Sequence, residues 1–188
     1  MESSALSAEL VSLAVRGERR ATEQLLRHLR PLVVKYCRAR VGRSATTADD
    51  VAQEVCLAVL TALPNYREQG RPFLAFVYGI AAHKVADAHR SLARNRAEPV
   101  AEVPDQAVRG HGPEEFVLQD ELNGTLGQLL HLLPEKQREI LVLRVVVGLS
   151  AEETADAVGS TPGAVRVAQH RALGRLRKEI ASLAVPIG

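Results

Sequence analysis

Apolar residues recur every three or four positions along most of the chain, which is the spacing of helices that bury one face. The first such pattern begins at Leu6 and stops at Gly17. The second runs from Leu25 to Gly42, with Pro31 inside it as an expected kink. These patterns are typical of an all-α protein.

Two longer helices are predicted in the first half of the chain. Thr46 and Thr47, followed by two aspartates, predict a capping box before a third helix, which Pro64 ends. A fourth helix is predicted over residues 73–96, where the apolar stripe resumes after a loop. We expect these helices to form a three- or four-helix N-terminal domain over residues 1–96.

The helical pattern fails over residues 97–113. This stretch contains prolines, glycines and acidic residues, and its apolar residues keep no sustained period, so it is predicted to be a flexible linker. Helical spacing resumes after it, and we expect a second helical domain over residues 114–188. The chain is therefore predicted to consist of two helical domains joined by a linker.

The strongest local signals lie in the second domain. Ser150 and Glu153 have the spacing of a capping box, which starts a helix, and Gly159 can adopt the left-handed conformation that ends it. Thr161 and Pro162 then supply a cap and a first-turn proline for another helix. Two helices joined by a tight glycine turn predict a helix-turn-helix, whose second helix enters the DNA major groove.

The second helix of this motif has one apolar and one basic side. Residues 160–180 contain five Lys or Arg against one Glu, while the whole chain has a net charge of only +2. A solvated basic helix is the alternative, but the caps, the glycine turn and the charge together favour DNA binding. On a helical wheel, the packing side of this helix consists of Val165, Ala172, Leu173, Leu176 and Ile180. The residues expected at the DNA are Thr161, Arg166, Val167, His170, Arg171 and Arg175.

Gln169 falls in the middle of the apolar side of the same helix. A buried amide without a partner costs roughly 1 to 3 kcal/mol. We therefore expect Gln169 to hydrogen-bond a backbone or side-chain group, unless the helix is rotated.

The third helix has apolar residues on two sides. One side predicts a core face, while Leu57 and Leu60 point away from it, beside Asp50, Gln53 and Glu54. Exposed leucines rimmed by carboxylates are typical of a docking surface for another protein. The alternative is that another helix of the same domain covers them.

A second basic surface is predicted around the loop before the fourth helix and at the far end of that helix. Tyr66 stands near Arg67 and Arg71, a combination that stacks an unpaired base and holds phosphates, although a tyrosine after a helix-ending proline is more often a packing plug. The fourth helix becomes basic from Lys84 onward and includes Arg90.

Composition narrows the function classes. The 188 residues are 46% hydrophobic, and Cys37 and Cys56 lack the spacing of a metal site. Nothing resembles a signal peptide or a membrane-spanning run, so a reduced, cytoplasmic protein is expected. No nucleophile motif or phosphate loop is present in the sequence, and we expect no enzyme activity, cofactor, metal or small-molecule substrate.

Three segments together resemble a known family. DDVAQEVCLAVLTALPNYR, FLAFVYGIAAHKVADAHR and LPEKQREILVLRVVVGLSAEETADAVGSTPGAVRVAQHRALGRLR, in this order, are similar to bacterial RNA polymerase sigma factors of the extracytoplasmic-function (ECF) group of the sigma-70 family. That group has only the second and fourth sigma regions. The resemblance implies that the first domain recognises and melts the −10 promoter element and that the second reads the −35 element.

The resemblance also implies roles for particular residues and partners. The face with Asp50, Gln53, Glu54 and Leu57 would dock on the clamp helices of the polymerase β′ subunit, and the β flap is a further expected contact. The linker would thread toward the RNA exit channel, and an anti-sigma factor is an expected inhibitory partner. The −10 element would be met by Tyr66, Arg67, Arg71, His83, Lys84 and Arg90.

A conventional helix-turn-helix regulator is the alternative function. It would bind duplex DNA as a homodimer and use the N-terminal helices as a sensor or dimerisation domain. That alternative leaves unexplained the face with Leu57 and Leu60 and the basic cluster around Tyr66.

Overall fold

A computed structural model of the protein describes residues 6–41, 45–68, 70–97 and 127–183. These residues are mostly helical and contain no β-strand, which confirms the all-α prediction. The predicted linker lies outside the described residues apart from its first residue, which ends a helix, and so do residues 114–126.

The described residues of the N-terminal half form four α-helices and one short 3₁₀ turn. The second helix is a single element that passes through Pro31. The bounds are Ala8–Val15 (α1), Arg19–Val41 (α2), Ala45–Ala62 (α3), Leu63–Asn65 (the 3₁₀ turn) and Phe73–Ala97 (α4).

The predicted capping box at Thr46 and Thr47 is wrong. Helix α3 already begins at Ala45, so both threonines lie inside its first turn. The carboxylate of Asp49 is bound from α2, where Arg38 Nε and Nη2 donate to its two oxygens at 3.0 and 2.9 Å.

The C-terminal half begins with a helical segment at residues 127–131. Its next helix continues into a π-helical stretch that ends at Gly148, which has a φ of 89°. The bounds are Glu135–Leu141 (α5), Val142–Val147 (the π segment), Ala151–Val158 (α6) and Pro162–Leu183 (α7).

The two halves pack against each other. Helix α6 lies against α4, and the π segment lies against α2. Tyr36 and Tyr78 are fully buried at this junction, with their ring centroids 5.3 Å apart. Buried apolar residues of both halves therefore form one connected core, which includes Leu25, Val33, Val55, Val77, Leu133, Leu143 and Leu176.

Two apolar residues differ from the predicted burial. Ile180 is 50% exposed, because α7 extends beyond the helices that pack on it. Leu60, expected on an exposed face, is half-buried.

Candidate nucleic-acid and polymerase interfaces

The helix-turn-helix forms as its local signals predict. Ser150 Oγ accepts from the Glu153 N–H at 3.0 Å, and Glu153 Oε2 accepts from the Ser150 N–H at 2.8 Å, so the capping box is complete. Gly159 ends α6 with a φ of 62°. Thr161 Oγ1 then accepts from the Ala164 N–H at 3.2 Å and caps α7.

Helix α7 exposes the basic side that the sequence predicts. His170, Arg171 and Arg175 are exposed, and Val167 is half exposed between them. Arg166 donates to Glu152 of α6 at 2.6 Å, and a backbone hydrogen bond followed by this guanidinium lowers the pKa of the Glu152 carboxyl. The cationic side chains therefore stand on one accessible helix, with Arg166 anchored to the preceding helix.

Gln169 has the partner that its position requires. Its Oε1 accepts from Arg144 Nε at 3.0 Å, and Arg144 also donates to the carbonyl oxygen of Leu149. Arg144 belongs to the π segment, so this pair ties α7 to the helix that precedes the motif. The expectation of a satisfied amide is confirmed.

The loop before α4 forms one wall of a cavity of about 490 Å³, which we call the loop cavity. Tyr66, Arg67, Arg71 and His83 line it. The structure thus brings together four of the six residues that the sequence connects with the −10 element.

Tyr66 also packs within its own half. Its ring is edge-on to Phe73 at a centroid distance of 5.1 Å and lies 5.0 Å from Phe76, and its Oη donates to the Arg71 carbonyl at 3.4 Å. Burial, followed by the nearby Glu68 carboxylate, raises its pKa. Tyr66 therefore serves as a packing plug while its half-buried ring remains part of the cavity wall.

The other two residues of that set lie outside the cavity wall. Lys84 Nζ donates to Glu54 Oε2 of α3 at 3.2 Å. Arg90 donates to Asp87 one turn earlier, and this hydrogen bond lowers the pKa of the Asp87 carboxyl. Both cations lie on the surface of α4, one toward α3 and one toward its C-terminal end.

The predicted docking face on α3 is accessible. Leu57 is 57% exposed, and Asp50, Gln53 and Glu54 are exposed beside it. Asp50 and Gln53 also line a groove of about 660 Å³ between α2 and α3. No described helix covers Leu57, which is the arrangement that a docking surface requires.

Sequence reasoning missed the polar contact between the halves. Tyr36 and Arg40 of α2 meet Glu139 of α5, which lies 103 positions beyond Tyr36. No local signal marks these residues, because each is an ordinary member of an amphipathic helix. The sequence feature that could have indicated this contact is Tyr36, whose polar hydroxyl lies on the mostly apolar buried face of α2.

The described residues contain no cluster of three or more His, Cys, Asp or Glu side chains suited to a metal ion. Within them, no helix is both long enough and apolar enough to span a membrane.

Family models match both halves of the chain. Residues 25–95 match Sigma-70 region 2, and residues 124–176 match Sigma-70, region 4. The chain is 62% identical over 174 residues to the ECF RNA polymerase sigma factor SigD of Mycobacterium tuberculosis, covering 91% of this chain and 82% of that protein. It is 53% identical over 175 residues to the ECF RNA polymerase sigma factor ShbA of Streptomyces griseus, covering 89% and 92%.

Solved structures show the same fold. CnrH in complex with the cytosolic domain of CnrY is 25% identical with a TM-score of 0.69, over 92% of this chain and 96% of that one. RpoE of Bartonella quintana, in complex with the anti-sigma factor NepR, is 19% identical with a TM-score of 0.59, over 85% and 96%. The region 2 match identifies the N-terminal helices as a sigma-factor region rather than as the sensor or dimerisation domain of a conventional regulator. The chain belongs to the ECF RNA polymerase sigma factors.

Proposed function

We propose that this chain binds core RNA polymerase through α3, reads the −35 element with α7 and holds the opened −10 element at the loop cavity. The observation that carries the proposal is the loop cavity, where an aromatic ring, two arginines and a histidine from separate parts of the N-terminal half converge. Aromatic and cationic groups side by side suit an unstacked base and its phosphates.

The −35 contact follows from the exposed side of α7. Arginine donates two hydrogen bonds to guanine in the major groove, and phosphate contacts fix the helix on the duplex. His170, Arg171 and Arg175 supply such donors, Arg166 would exchange Glu152 for DNA, and Val167 would touch a thymine methyl.

The polymerase contact is assigned to the docking face, which consists of Asp50, Gln53, Glu54 and Leu57. An exposed leucine with a polar rim has the anatomy of a protein interface. The β′ clamp helices are the proposed partner of this face, and the β flap that of the C-terminal half. We assign residues 1–96 and 114–188 to the two domains, with residues 97–113 as the linker.

The protein itself carries out no chemistry in this proposal. The polymerase makes the RNA, and the sigma factor supplies promoter choice and strand opening, so no cofactor is required. The proposed location is the cytoplasm, where polymerase and promoter DNA meet. An anti-sigma factor is the proposed inhibitory partner of this chain.

Transcription with purified core polymerase on fragmented genomic DNA tests the function. New transcripts that require the protein would support it, and their start sites would reveal the −35 and −10 sequences. Absence of such transcripts, with tight binding of the protein alone to duplex DNA, would contradict it.

Two variants separate the proposed surfaces. Arg171→Ala should lower −35-dependent transcription while affinity for core polymerase stays unchanged, with Arg20→Ala on α2 as the matched exposed control. Leu57→Ser should lower affinity for core polymerase, with the exposed Leu92→Ser on α4 as its control. A Leu57 variant that binds core polymerase as the unmodified protein does would remove α3 from the proposal.

A further inference from the structure

One buried carboxylate joins the two halves of the molecule. Tyr36 Oη of α2 donates to Glu139 Oε1 of α5 at 2.6 Å, and Arg40 Nε lies 2.9 Å from Glu139 Oε2. The side chains of Arg40 and Glu139 are only 7% and 16% exposed. Both contacts reach Glu139 from the N-terminal half, so they exist only while the halves are packed together.

The polar atoms at this junction are not all satisfied. Arg40 Nη1 and Tyr78 Oη are buried without a hydrogen-bond partner among the described residues, and the pair of Arg40 and Glu139 lacks the alignment of a hydrogen bond. Desolvation offsets much of the attraction within a buried ion pair, and unpaired polar atoms oppose burial. The junction therefore has the chemistry of a contact that can open.

The packed C-terminal half forms part of the loop cavity. Helix α6 lies against α4, and Asp156 and Ala157 of α6 line the loop cavity together with the loop residues. A carboxylate at this place repels the phosphates of a nucleic acid and lines the same space as the loop arginines. Single-stranded DNA held at the loop cavity would therefore compete with α6 for one surface of α4.

We propose that the free protein occludes its own −10 surface, with Glu139 fastening the C-terminal half and α6 standing in the path of the DNA strand. This inference rests on the proposed role of the loop cavity. Because DNA binds only the open form, the apparent affinity is lowered by the fraction of molecules that are open. Core polymerase would relieve the occlusion by holding the halves apart.

The test is a charge reversal at the fastening residue. Glu139→Arg places a cation against Arg40 in the closed arrangement and exposes both to water in the open one. Glu9→Arg, on the exposed side of α1, makes the same change in net charge far from the junction and is the matched control. Should the first variant fail to fold, Glu139→Ala serves the same purpose, because it removes the carboxylate that both Tyr36 and Arg40 contact.

Two measurements are made on the full chain. Small-angle scattering gives the radius of gyration, and fluorescence anisotropy gives affinity for a fluorescein-labelled random pool of single strands of about 20 nucleotides. Relative to Glu9→Arg, we expect a larger radius and tighter DNA binding for Glu139→Arg. The gain would be about tenfold if one unmodified molecule in ten is open.

The outcomes distinguish this inference from the proposed function. An unchanged radius, or a larger radius with no gain in DNA affinity over Glu9→Arg, would overturn self-occlusion. Adding Arg67→Ala to Glu139→Arg should abolish the gain. A gain that survives Arg67→Ala would overturn both the occlusion of this surface and its −10 role, whereas failure of transcription with core polymerase would remove only the proposed function.

Discussion

Lys84 of α4 and Glu54 of α3 form an ion pair of 3.2 Å, which joins a residue assigned to −10 DNA with one assigned to the polymerase. Their side chains are 34% and 61% exposed, so solvent screens the pair. An exposed ion pair contributes at most about 1 kcal/mol to stability. The pair therefore lies where the two proposed surfaces adjoin and contributes little to holding the helices together.

Lys84→Ala should separate these effects. We expect the free energy of unfolding to change by less than about 1 kcal/mol and core affinity to stay the same, because Glu54 remains exposed. Promoter-dependent transcription should fall, since a phosphate contact is lost. Urea denaturation measures the free energy of unfolding, and a binding assay measures the affinity for core polymerase. A large loss of core affinity would show that the ion pair orders the docking face.

The pair of Arg144 and Gln169 leads to a stability prediction. Gln169→Ala removes the acceptor of a half-buried guanidinium and should cost about 1.5 kcal/mol. His170→Ala, at the exposed neighbouring position, should change stability by less than about 0.5 kcal/mol. Equal urea midpoints for the two variants would mean that Arg144 finds another acceptor.

The features that the sequence predicts correctly in the C-terminal half depend on local chemistry. The capping box at Ser150 and the left-handed Gly159 are determined by residues within one turn of them. The capping box expected at Thr46 is wrong because α3 already begins at Ala45. The exposure of Ile180 depends on where the neighbouring helices end, which periodicity along α7 does not contain.

The candidate surfaces show the same difference between features set by local sequence and features set by tertiary packing. Helical periodicity places Leu57 and Arg171 on exposed faces without any tertiary information. The contact between Tyr36 and Glu139 depends on how the two halves pack against each other. The apolar pattern within each half does not determine that packing. The inference of self-occlusion therefore rests on the packing of the two halves in the structure and not on the pattern of either half.

Two glycines of the C-terminal half should respond to alanine with opposite signs. Gly159 has a φ of 62°, so Gly159→Ala should cost about 1 to 2 kcal/mol through left-handed strain. Gly174 lies inside α7, and an added Cβ meets no atom within 4 Å, so Gly174→Ala should stabilise by about 0.5 to 1 kcal/mol. Thermal unfolding of both variants tests this, and destabilisation by Gly174→Ala would indicate that α7 packs more closely there.

Mild acid should destabilise the folded protein through His131. Burial, followed by the positive charges of Arg138, His89 and Arg40, lowers the pKa of His131 below its ordinary value of about 6.5. The carboxylates of Glu135 and Glu139 lie near Arg138 in the same region. They act to raise the pKa of Arg138, whereas burial and the charge of Arg40 lower it.

The direction of the effect follows from linkage. As the pH falls, the unfolded chain takes up the proton of His131 before the folded protein does, so stability declines below about pH 6.5. His131→Asn should reduce the loss of unfolding free energy between about pH 7 and about pH 5.5. Urea titrations at the two pH values provide the comparison with the unmodified protein. If the variant loses as much stability as the unmodified protein, the acid sensitivity arises from groups other than His131.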